Sequence, residues 1–384
     1  MGGVTQITPI IEDTECELIS SVEVDIKPAD RPRVVIAMSS GVDSSTSAAL
    51  LVEQGYDVVG IMMRIWGEET SGGVNRCCSP EAVADARKVA RHLGIPFYLL
   101  DFQREFKKYV VDCFVEEYAA GRTPSPCINC NRHVRFQFLL QRALALEADF
   151  LATGHYARVR QTADGSFQLL KGMDHGKDQA YFLYTLGQAQ LKHIMFPVGH
   201  LTKQQVREMA RERNLPVAEK AESQELCFLA DGDYRRFIRD YAPEAVVPGP
   251  IIDTVGNTVG EHAGLPMYTI GQRRGLGVAL GHPAYVVDMD RASNAVVVGG
   301  DTDLHRREVK VNEVTFVSGE LPADAIQVSA KIRSMAPETP ARLFLEGDEY
   351  ARLVFDTPVR AVAPGQAVVF FVDDMVLGGG IISA

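Results

Sequence analysis

A run of small residues with a single acid, at 39–45, is the stretch whose composition most clearly suggests chemistry. It follows the apolar run 34–37 and precedes a helix-like run, so it lies at a strand–turn–helix junction. Backbone N–H groups at a helix start attract anions, and small side chains let a phosphate approach closely. The spacing is neither that of a Walker A loop nor that of G-x-G-x-x-G. The stretch predicts a phosphate site of another kind, although a serine-capped turn would look the same.

Three cysteines are the second group that could do chemistry. Cys127 and Cys130 form a C-x-x-C within TPSPCINCNRHVRF, and Cys227 lies far along the chain within ESQELCF. We expect the C-x-x-C on a loop that two prolines stiffen and that leads into a helix. A thiolate near a helix N-terminus is stabilised by the helix dipole and by nearby positive charge. Three residues would supply that charge: Arg132, His133 and Arg135.

These thiols suit three chemistries. The first is nucleophilic and persulfide chemistry with a resolving partner. The second is a [4Fe–4S] cluster held by Cys127, Cys130 and Cys227, with one iron left open. The third is structural zinc with His133 as the fourth ligand, which ranks lowest because zinc usually brings paired C-x-x-C or C-x-x-C and H-x-x-x-H spacing.

Strands that alternate with helices from residue 34 to about 149 must position these groups. This order predicts an α/β fold with a doubly wound parallel sheet, whose ligands bind at the carboxyl ends of the strands. Met63 and Gly154 each follow a predicted strand, as the 39–45 loop does. We therefore expect all three to converge on one nucleotide pocket.

After residue 157 the pattern changes to short β-like runs with turns between them, which predict a small central β-rich domain and a C-terminal β-barrel. The runs beyond 250 lie at 264–270, 284–288, 295–298, 309–316, 326–332, 341–344, 367–372 and 375–381. We predict a mobile N-terminal extension at 1–30, an α/β catalytic domain at 31–230, the central domain at 231–303 and the barrel at 304–384.

Composition limits the class of protein. The 384 residues are 46% hydrophobic and carry a net charge of −11, and no apolar run is long enough for a membrane span. The acidic start lacks the pattern of a signal or transit peptide. Seven cysteines without an export signal predict a reducing cytoplasm. The acidic balance gives no support to nucleic-acid binding, which would require a local basic patch.

The ordered set of motifs resembles the tRNA-specific 2-thiouridylases over residues 33–384. The motifs are SSGVDSS, MMRIW, GRTPSPCINCNRHVRF, TGHYAR, KDQAYFLYTL, ESQELCF, YTIGQRRGLG, KIRS and VLGGGI. The first resembles the SGGxDS pyrophosphate loop, with Ser40 in place of the first glycine. The resemblance implies a pyrophosphate-loop ATPase domain of the adenine-nucleotide alpha-hydrolase type. It also implies an enzyme that adenylates C2 of the wobble uridine (position 34) of tRNA with ATP and Mg²⁺. Sulfur relayed from a cysteine desulfurase then displaces AMP and gives 2-thiouridine.

The resemblance also implies roles for individual residues. Cys130 matches the nucleophile and Cys227 the persulfide-bearing cysteine, with an alternate disulfide between them. Met63 and Gly154 would lie against the nucleoside. The phosphates would be held by Ala37, Met38, Ser39, Ser40, Gly41, Val42, Asp43 and Ser44. Ser125, Pro126 and Cys127 would contact the target base. Other tRNA contacts would be His155, Lys177, Asp178, Gln179, Arg333, Ser334 and Gln366.

Two departures from the family pattern leave alternatives open. Many members have an aspartate where this chain has Cys127, and a tyrosine where it has Ser334. With Cys127 as a third thiolate, a [4Fe–4S] cluster could carry the sulfide instead of the Cys227 persulfide, which the family pattern favours. Two further hypotheses are a pyrophosphate-loop ligase acting on a small substrate and a non-catalytic RNA-binding scaffold.

Overall fold

The computed structural model describes residues 30–68, 79–221, 226–278, 281–322, 325–347 and 349–383. The chain forms two compact units, one of Met1–Tyr109 with Asn129–Gly232 and one of Val110–Ile128 with Asp233–Ala384. The predicted extension at 1–30 lies outside the described residues except for Asp30. In the described ranges, no helix has the length and apolar character that crossing a membrane requires.

A five-stranded parallel sheet forms the centre of the first unit, in the order β3-β2-β1-β4-β7. Its strands are β1 (Arg33–Ala37), β2 (Asp57–Arg64), β3 (Phe97–Asp101), β4 (Phe150–Ala152) and β7 (Ile194–Met195), and an antiparallel hairpin consists of β5 (Ala157–Gln161) and β6 (Phe167–Lys171). Val34, Val35 and Ile36 of the apolar run in β1 are fully buried, as expected for a strand covered on both faces, and Ala37 at its end is half-buried. The predicted parallel α/β fold is confirmed, and the strand order reverses between β1 and β4.

Helices pack on the sheet and bury their apolar faces against its apolar side chains. The helix Val42–Glu53 buries Leu51 against β1 and β2, and its other side packs on the helix Lys203–Glu212. Ser79 caps the next helix as predicted, and the helix ends at Gly94 with a φ of 69°. The remaining helices of this unit are Pro80–Leu93, Gln103–Phe106, Cys130–Leu139 with π-type hydrogen bonding, Leu140–Ala145, the 3₁₀ turn Ala180–Leu183 and Gln188–Leu191. A π-helical segment, Lys107–Asp112, spans the boundary between the two units.

The C-x-x-C does not lie on a loop, so this expectation is wrong. A helical turn already begins at Pro126 and runs to Asn129, and the helix Cys130–Leu139 follows it directly. Proline fits the first position of a helix because its missing N–H has no partner there in any case. Pro126 therefore starts the helix rather than stiffening a loop before it.

The second unit contains a four-stranded sheet in the order β10-β11-β8-β9, in which only β8 and β11 are parallel. Its strands are β8 (Gly249–Asp253), β9 (Thr258–His262), β10 (Tyr285–Asp290) and β11 (Ala295–Gly299). The helices Cys113–Ala119 and Tyr234–Tyr241 pack together through Tyr118 and Tyr234, whose ring centroids are 4.7 Å apart. The predicted strand at 264–270 is wrong. A 3₁₀ turn, Leu265–Met267, follows Gly264 there, whose φ of 143° suits glycine.

Six antiparallel strands close the predicted C-terminal barrel, which is confirmed. They are β12 (His305–Phe316), β13 (Ala325–Lys331), β14 (Thr339–Leu345), β15 (Ala351–Arg360), β16 (Ala367–Val372) and β17 (Met375–Ile382). The order is β12-β15-β14-β13-β16-β17, and pairing between β12 and β17 closes the ring. Alternate side chains such as Val309, Leu343 and Phe355 fill its interior.

Candidate nucleotide and thiol site

The loop after β1, residues 39–45, has the geometry of an anion cradle. Ser39 donates its backbone N–H to Ser44 Oγ at 3.2 Å, so the loop folds back on the start of the helix Val42–Glu53. Gly41 is the N-cap and has no side chain to satisfy the first helical N–H groups. Those groups and the helix dipole therefore remain available to an anion. Ser40 has a φ of 56°, the left-handed region where glycine is favoured.

Gly154, two residues after β4, lies against this loop in backbone contact. A Cβ placed on Gly154 would be 2.7 Å from Ser44 N and 2.9 Å from the Asp43 carbonyl carbon, so only glycine fits. The contact lies where the strand order reverses between β1 and β4, which is where doubly wound sheets bind ligands. The structure thus brings Gly154 and the 39–45 loop together, as predicted. Met63 is the seventh residue of β2 rather than a residue after it.

Two lysines that the sequence analysis missed hold the loop. Lys203 Nζ contacts both carboxylate oxygens of Asp43 at 2.7 and 2.8 Å, and the Tyr156 hydroxyl donates to Asp43 at 2.8 Å. Lys220 Nζ donates to Ser40 Oγ at 3.1 Å and pairs with Asp85 at 3.0 Å. Both ammonium groups stand beside a site suited to phosphate. Asp43 is thus the partner of a cation rather than a helix cap.

His155 lies next to Gly154 among aromatic rings. Its ring centroid is 5.9 Å from those of Phe136 and Phe196, and its Nδ1 shares a hydrogen bond with Thr153 Oγ1 at 2.7 Å. Burial, with a smaller effect of the Arg135 charge, lowers the pKa of His155 to about 3. The imidazole is therefore neutral at physiological pH, and the predicted tRNA contact would be an uncharged one.

Cys130 is buried one turn into the helix that begins at Pro126, whereas Cys127 is exposed in its first turn. Of the three predicted cations nearby, His133 stacks on Tyr109 at 4.7 Å. Burial lowers the pKa of His133, which disfavours its charged form. Arg135 donates to Asn131 Oδ1 at 2.8 Å.

The segment that carries Cys227 is anchored by its neighbours. Phe228 packs on Phe106 with ring centroids 6.0 Å apart, and Ala230 N donates to the buried carboxylate of Glu68 at 3.0 Å. The helix Gln103–Phe106 also contacts the helix Cys130–Leu139. The segments that bear Cys130 and Cys227 therefore pack on one common helix. Glu68 lies in the loop after β2, and no sequence pattern marked it as a functional residue.

No three His, Cys, Asp or Glu side chains of the described residues come together as a metal-binding group. A [4Fe–4S] cluster on three cysteines requires three thiolates around one cluster, and a zinc site requires four ligands. The arrangement of the described side chains thus gives neither hypothesis a ligand set.

Two of the predicted tRNA contacts in the first unit are used inside the protein. Asp178 Oδ1 accepts hydrogen bonds from Gly172 N and Ala180 N at 2.9 and 3.2 Å. Gln179 Oε1 accepts from Tyr156 N at 3.0 Å. These two side chains fix the backbone next to Tyr156, whose hydroxyl donates to Asp43 in the 39–45 loop.

In the second unit, Gln366 holds the loop that leads to Cys127. Its Nε2 donates to the carbonyls of Thr123 and Pro124 at 2.9 and 3.2 Å, and Ser125 Oγ donates to its Oε1 at 3.5 Å. Arg333 donates to the Arg360 carbonyl at 3.4 Å, and Ser334 is half-buried. Gln366 is therefore a brace for the predicted base-contacting residues.

Family models match three consecutive parts of the chain. A tRNA methyl transferase HUP domain matches residues 32–231, a tRNA methyl transferase PRC-barrel domain matches 235–300, and an aminomethyltransferase beta-barrel domain matches 306–382. The boundaries between them fall close to the start of the helix Tyr234–Tyr241 and to the start of β12.

Curated relatives align over nearly their full length. The tRNA-specific 2-thiouridylase MnmA of Moorella thermoacetica is 51% identical over 354 residues, which cover 91% of this chain and 99% of the relative. That of Symbiobacterium thermophilum is 48% identical over 357 residues, covering 91% and 92%. Among solved structures, a 4-thiouridine synthetase–RNA complex with bound ATP matches with a TM-score of 0.36 and 15% identity, covering 56% of this chain and 51% of that one. A structural likeness of that size supports no conclusion.

Proposed function

The chain belongs to the tRNA-specific 2-thiouridylase family, and we propose that it is the enzyme that thiolates C2 of the wobble uridine, position 34, of tRNA. The observation that carries the ATP-dependent part is the close contact of Gly154 with the 39–45 loop at the switch point of the sheet. A backbone cradle with two lysines beside it suits the phosphates of ATP.

ATP is needed because the C2 oxygen of uridine is a poor leaving group. In the proposed first step this oxygen attacks the α-phosphate, pyrophosphate departs, and C2 carries an O–AMP group. The loop N–H groups and the ammonium of Lys220 stabilise the charge that develops on the phosphates. Mg²⁺ bound with ATP would screen this charge. Asp43 is the carboxylate nearest the phosphates in the loop, and it acts there by holding the ammonium of Lys203.

The proposed sulfur source is a persulfide on Cys227. Its terminal sulfur forms a bond to C2, and AMP departs with the former C2 oxygen. The Cys130 thiolate then attacks Sγ of Cys227 and breaks the S–S bond, which leaves the sulfur on C2 and a Cys130–Cys227 disulfide. In a second version Cys130 attacks the persulfide first and releases sulfide, which attacks C2. In both versions a Cys130–Cys227 disulfide forms, and a cellular thiol reductant returns it to thiols.

The packing of both cysteine segments on the helix Gln103–Phe106 supports this pairing of roles. The exposed Cys127 takes the base-side position, where the family commonly has an aspartate. The tRNA contacts remain those of the motif match: Ser125, Pro126, His155, Lys177, Asp178, Gln179, Arg333, Ser334 and Gln366. A cysteine desulfurase or a sulfur relay protein would load Cys227, and a reducing cytoplasm suits this thiol chemistry.

Changing single cysteines tests the sulfur path. Protein purified without oxygen is given tRNA, ATP and a cysteine desulfurase with cysteine, and 2-thiouridine is measured by mass spectrometry of digested tRNA. We expect Cys130→Ala and Cys227→Ala each to lose at least about 1,000-fold in thiolation while ATP still binds, because each removes a reacting sulfur. Cys113→Ala, which changes a cysteine outside the site, is the matched control and keeps activity.

The same preparation separates the rival mechanisms. A brown protein with about four irons, lost on changing any of Cys127, Cys130 and Cys227, would replace the persulfide with a cluster-borne sulfide. A small-substrate ligase would form AMP without tRNA, and a scaffold would form none. Full thiolation by Cys130→Ala would refute the proposed role of that residue.

A further inference from the structure

A cavity of about 630 Å³ in the second unit has a strongly basic lining. Four arginines line it, with Tyr268 and Gln272 between them, and the lining among described residues includes no Asp or Glu. The arginines are Arg235, Arg239, Arg273 and Arg274. In a chain with a net charge of −11, such a concentration of positive charge needs an explanation.

One wall of the cavity is the helix Tyr234–Tyr241. Arg235 and Arg239 are four residues apart on it and therefore lie on the same face. Arg235 Nε donates to the Met267 carbonyl at 2.9 Å, and its guanidinium carbon lies 5.2 Å from the ring centroid of Tyr234. These contacts fix the guanidinium in place and leave its remaining N–H groups for a ligand.

A second part of the lining is a braced turn at 269–275. Gln272 accepts from Thr269 N at 3.2 Å through Oε1 and donates to the Arg274 carbonyl at 2.9 Å through Nε2. Gly271 and Gly275 have φ values of 89° and 75°, which the turn requires. The turn therefore presents Arg273 and Arg274 from a fixed backbone.

Three of the four guanidinium groups have no acidic partner in the described part of the chain: those of Arg239, Arg273 and Arg274. Arg236, on the same helix but outside the lining, instead pairs with Asp240 at 2.9 Å. Exposed arginines without acidic partners at the edge of a concave site are typical of a surface that binds an anion.

We infer that this cavity, hereafter the arginine pocket, binds the sugar–phosphate backbone of tRNA at a nucleotide away from the reacting base. The volume is that of a small-ligand site and admits one nucleotide. Arginine forks match phosphate oxygens in pairs, and their planes stack on bases. The inference rests on the proposed function because tRNA is its ligand.

To bind RNA, an acidic protein needs positive charge concentrated at the place where the RNA docks. Affinity for RNA comes largely from neutralised phosphates, yet the molecule as a whole is acidic. A polyanion would be repelled unless positive charge is concentrated where it docks. The arginine pocket supplies that concentration on a rigid turn and a helix.

The test compares tRNA binding by the full-length Arg273→Ala/Arg274→Ala variant with that of the wild type across salt concentrations. We expect the Kd for tRNA to rise about 10-fold or more, and the slope of log K against log salt to fall by about 1.5, because two phosphate contacts are lost. Arg236→Ala is the matched control and retains the wild-type Kd and slope. Arg239→Ala repeats the test from the helix Tyr234–Tyr241.

A Kd and slope equal to those of Arg236→Ala would overturn the inference, provided that melting curves show the variant folded. Thiolation at saturating tRNA separates this failure from failure of the proposed function. If the pocket variants bind like wild type while wild type makes 2-thiouridine, only the arginine pocket is refuted. If wild type binds tRNA through these arginines yet makes no 2-thiouridine, the function is refuted and the pocket stands.

Discussion

At the scale of single residues, the ion pair between Asp43 and Lys203 places a fixed positive charge beside the 39–45 loop, hereafter the phosphate loop. Lys203 is largely buried and also lies 5.9 Å from the ring centroid of Tyr156, so its ammonium is held in one place. A fixed cation beside the helix N-terminus is useful in phosphate chemistry because it costs no reorganisation when charge develops. Asp43 keeps that cation in position.

Replacing Lys203 by Met should lower the rate of AMP formation about 100-fold, because the cation at the loop is lost. The unpaired Asp43 should also cost about 2 kcal/mol in the free energy of unfolding. The variant Lys203→Met/Asp43→Asn removes both charges, so it should regain stability but not activity. Denaturant unfolding and AMP release measure the two quantities. Recovery of activity in the double variant would contradict this role of the ammonium.

His155 should make the protein sensitive to mild acid. Its pKa is about 3 in the folded protein and about 6.5 when unfolded, so below pH 6.5 the unfolded state binds more protons. Stability is therefore fully present above pH 6.5 and is lost as the pH falls towards 3. Between pH 7 and 5, we expect wild type to lose about 2 kcal/mol more than His155→Gln. Exposed His175→Gln is the control, and an equal loss in all three proteins would disprove the assignment.

Sequence reasoning found the loop but not the side chains that hold it. Ser40 was recognisable as a departure from a glycine motif, and its φ of 56° explains why glycine is favoured there. Lys203 and Lys220 lie 160 and 180 residues from their partners Asp43 and Ser40. A single lysine in a polar helix start has no local pattern that reveals such a distant partner.

At the scale of elements, short sequence patterns predicted strands and helix starts that depend on neighbouring residues only. The apolar run of β1 and the Ser79-Pro80 helix start are both where the sequence placed them. The start at Pro126 was mistaken because proline suits both a stiff loop and a first helical turn. The 3₁₀ turn Leu265–Met267 was mistaken for a strand because its apolar residues are buried without a sheet.

The contact between the end of β4 and the phosphate loop gives a prediction at this scale. Gly154→Ala places a methyl group 2.7 Å from Ser44 N, so the loop must move away from it. We expect the KM for ATP to rise about 10-fold or more, with a stability loss of about 1–3 kcal/mol. Gly187→Ala, where the nearest atom to the new Cβ is 3.6 Å away, should leave the KM for ATP unchanged. An unchanged KM for Gly154→Ala would show that the loop does not bind ATP.

The anchoring of the Cys227 segment by Glu68 gives a second prediction at the scale of elements. Glu68→Ala removes the acceptor for Ala230 N and should lower thiolation about 10- to 100-fold while AMP formation persists, because only the sulfur-bearing segment is displaced. Glu68→Gln retains an acceptor oxygen and should keep most of the activity. Measuring 2-thiouridine and AMP in the same reaction separates the two steps. Equal losses of both products in Glu68→Ala would contradict this division.

At the scale of the whole molecule, the α/β fold and the barrel followed from the order of patterns along the chain. The grouping of Val110–Ile128 with the second unit did not, because it depends on contacts such as Tyr118 on Tyr234 between distant helices. The acidic net charge gave no sign of the basic cavity, since it averages over the whole molecule and this cavity is lined by four arginines.

The proposed reaction consumes ATP to activate a uridine of tRNA for thiolation. The most direct test measures AMP and 2-thiouridine together, without oxygen, with and without tRNA and with a sulfur source. We predict AMP formation only when tRNA is present, one AMP for each 2-thiouridine, and neither product from tRNA whose position 34 is cytidine. AMP formed at the same rate without tRNA, or tRNA thiolated without AMP, would contradict the account.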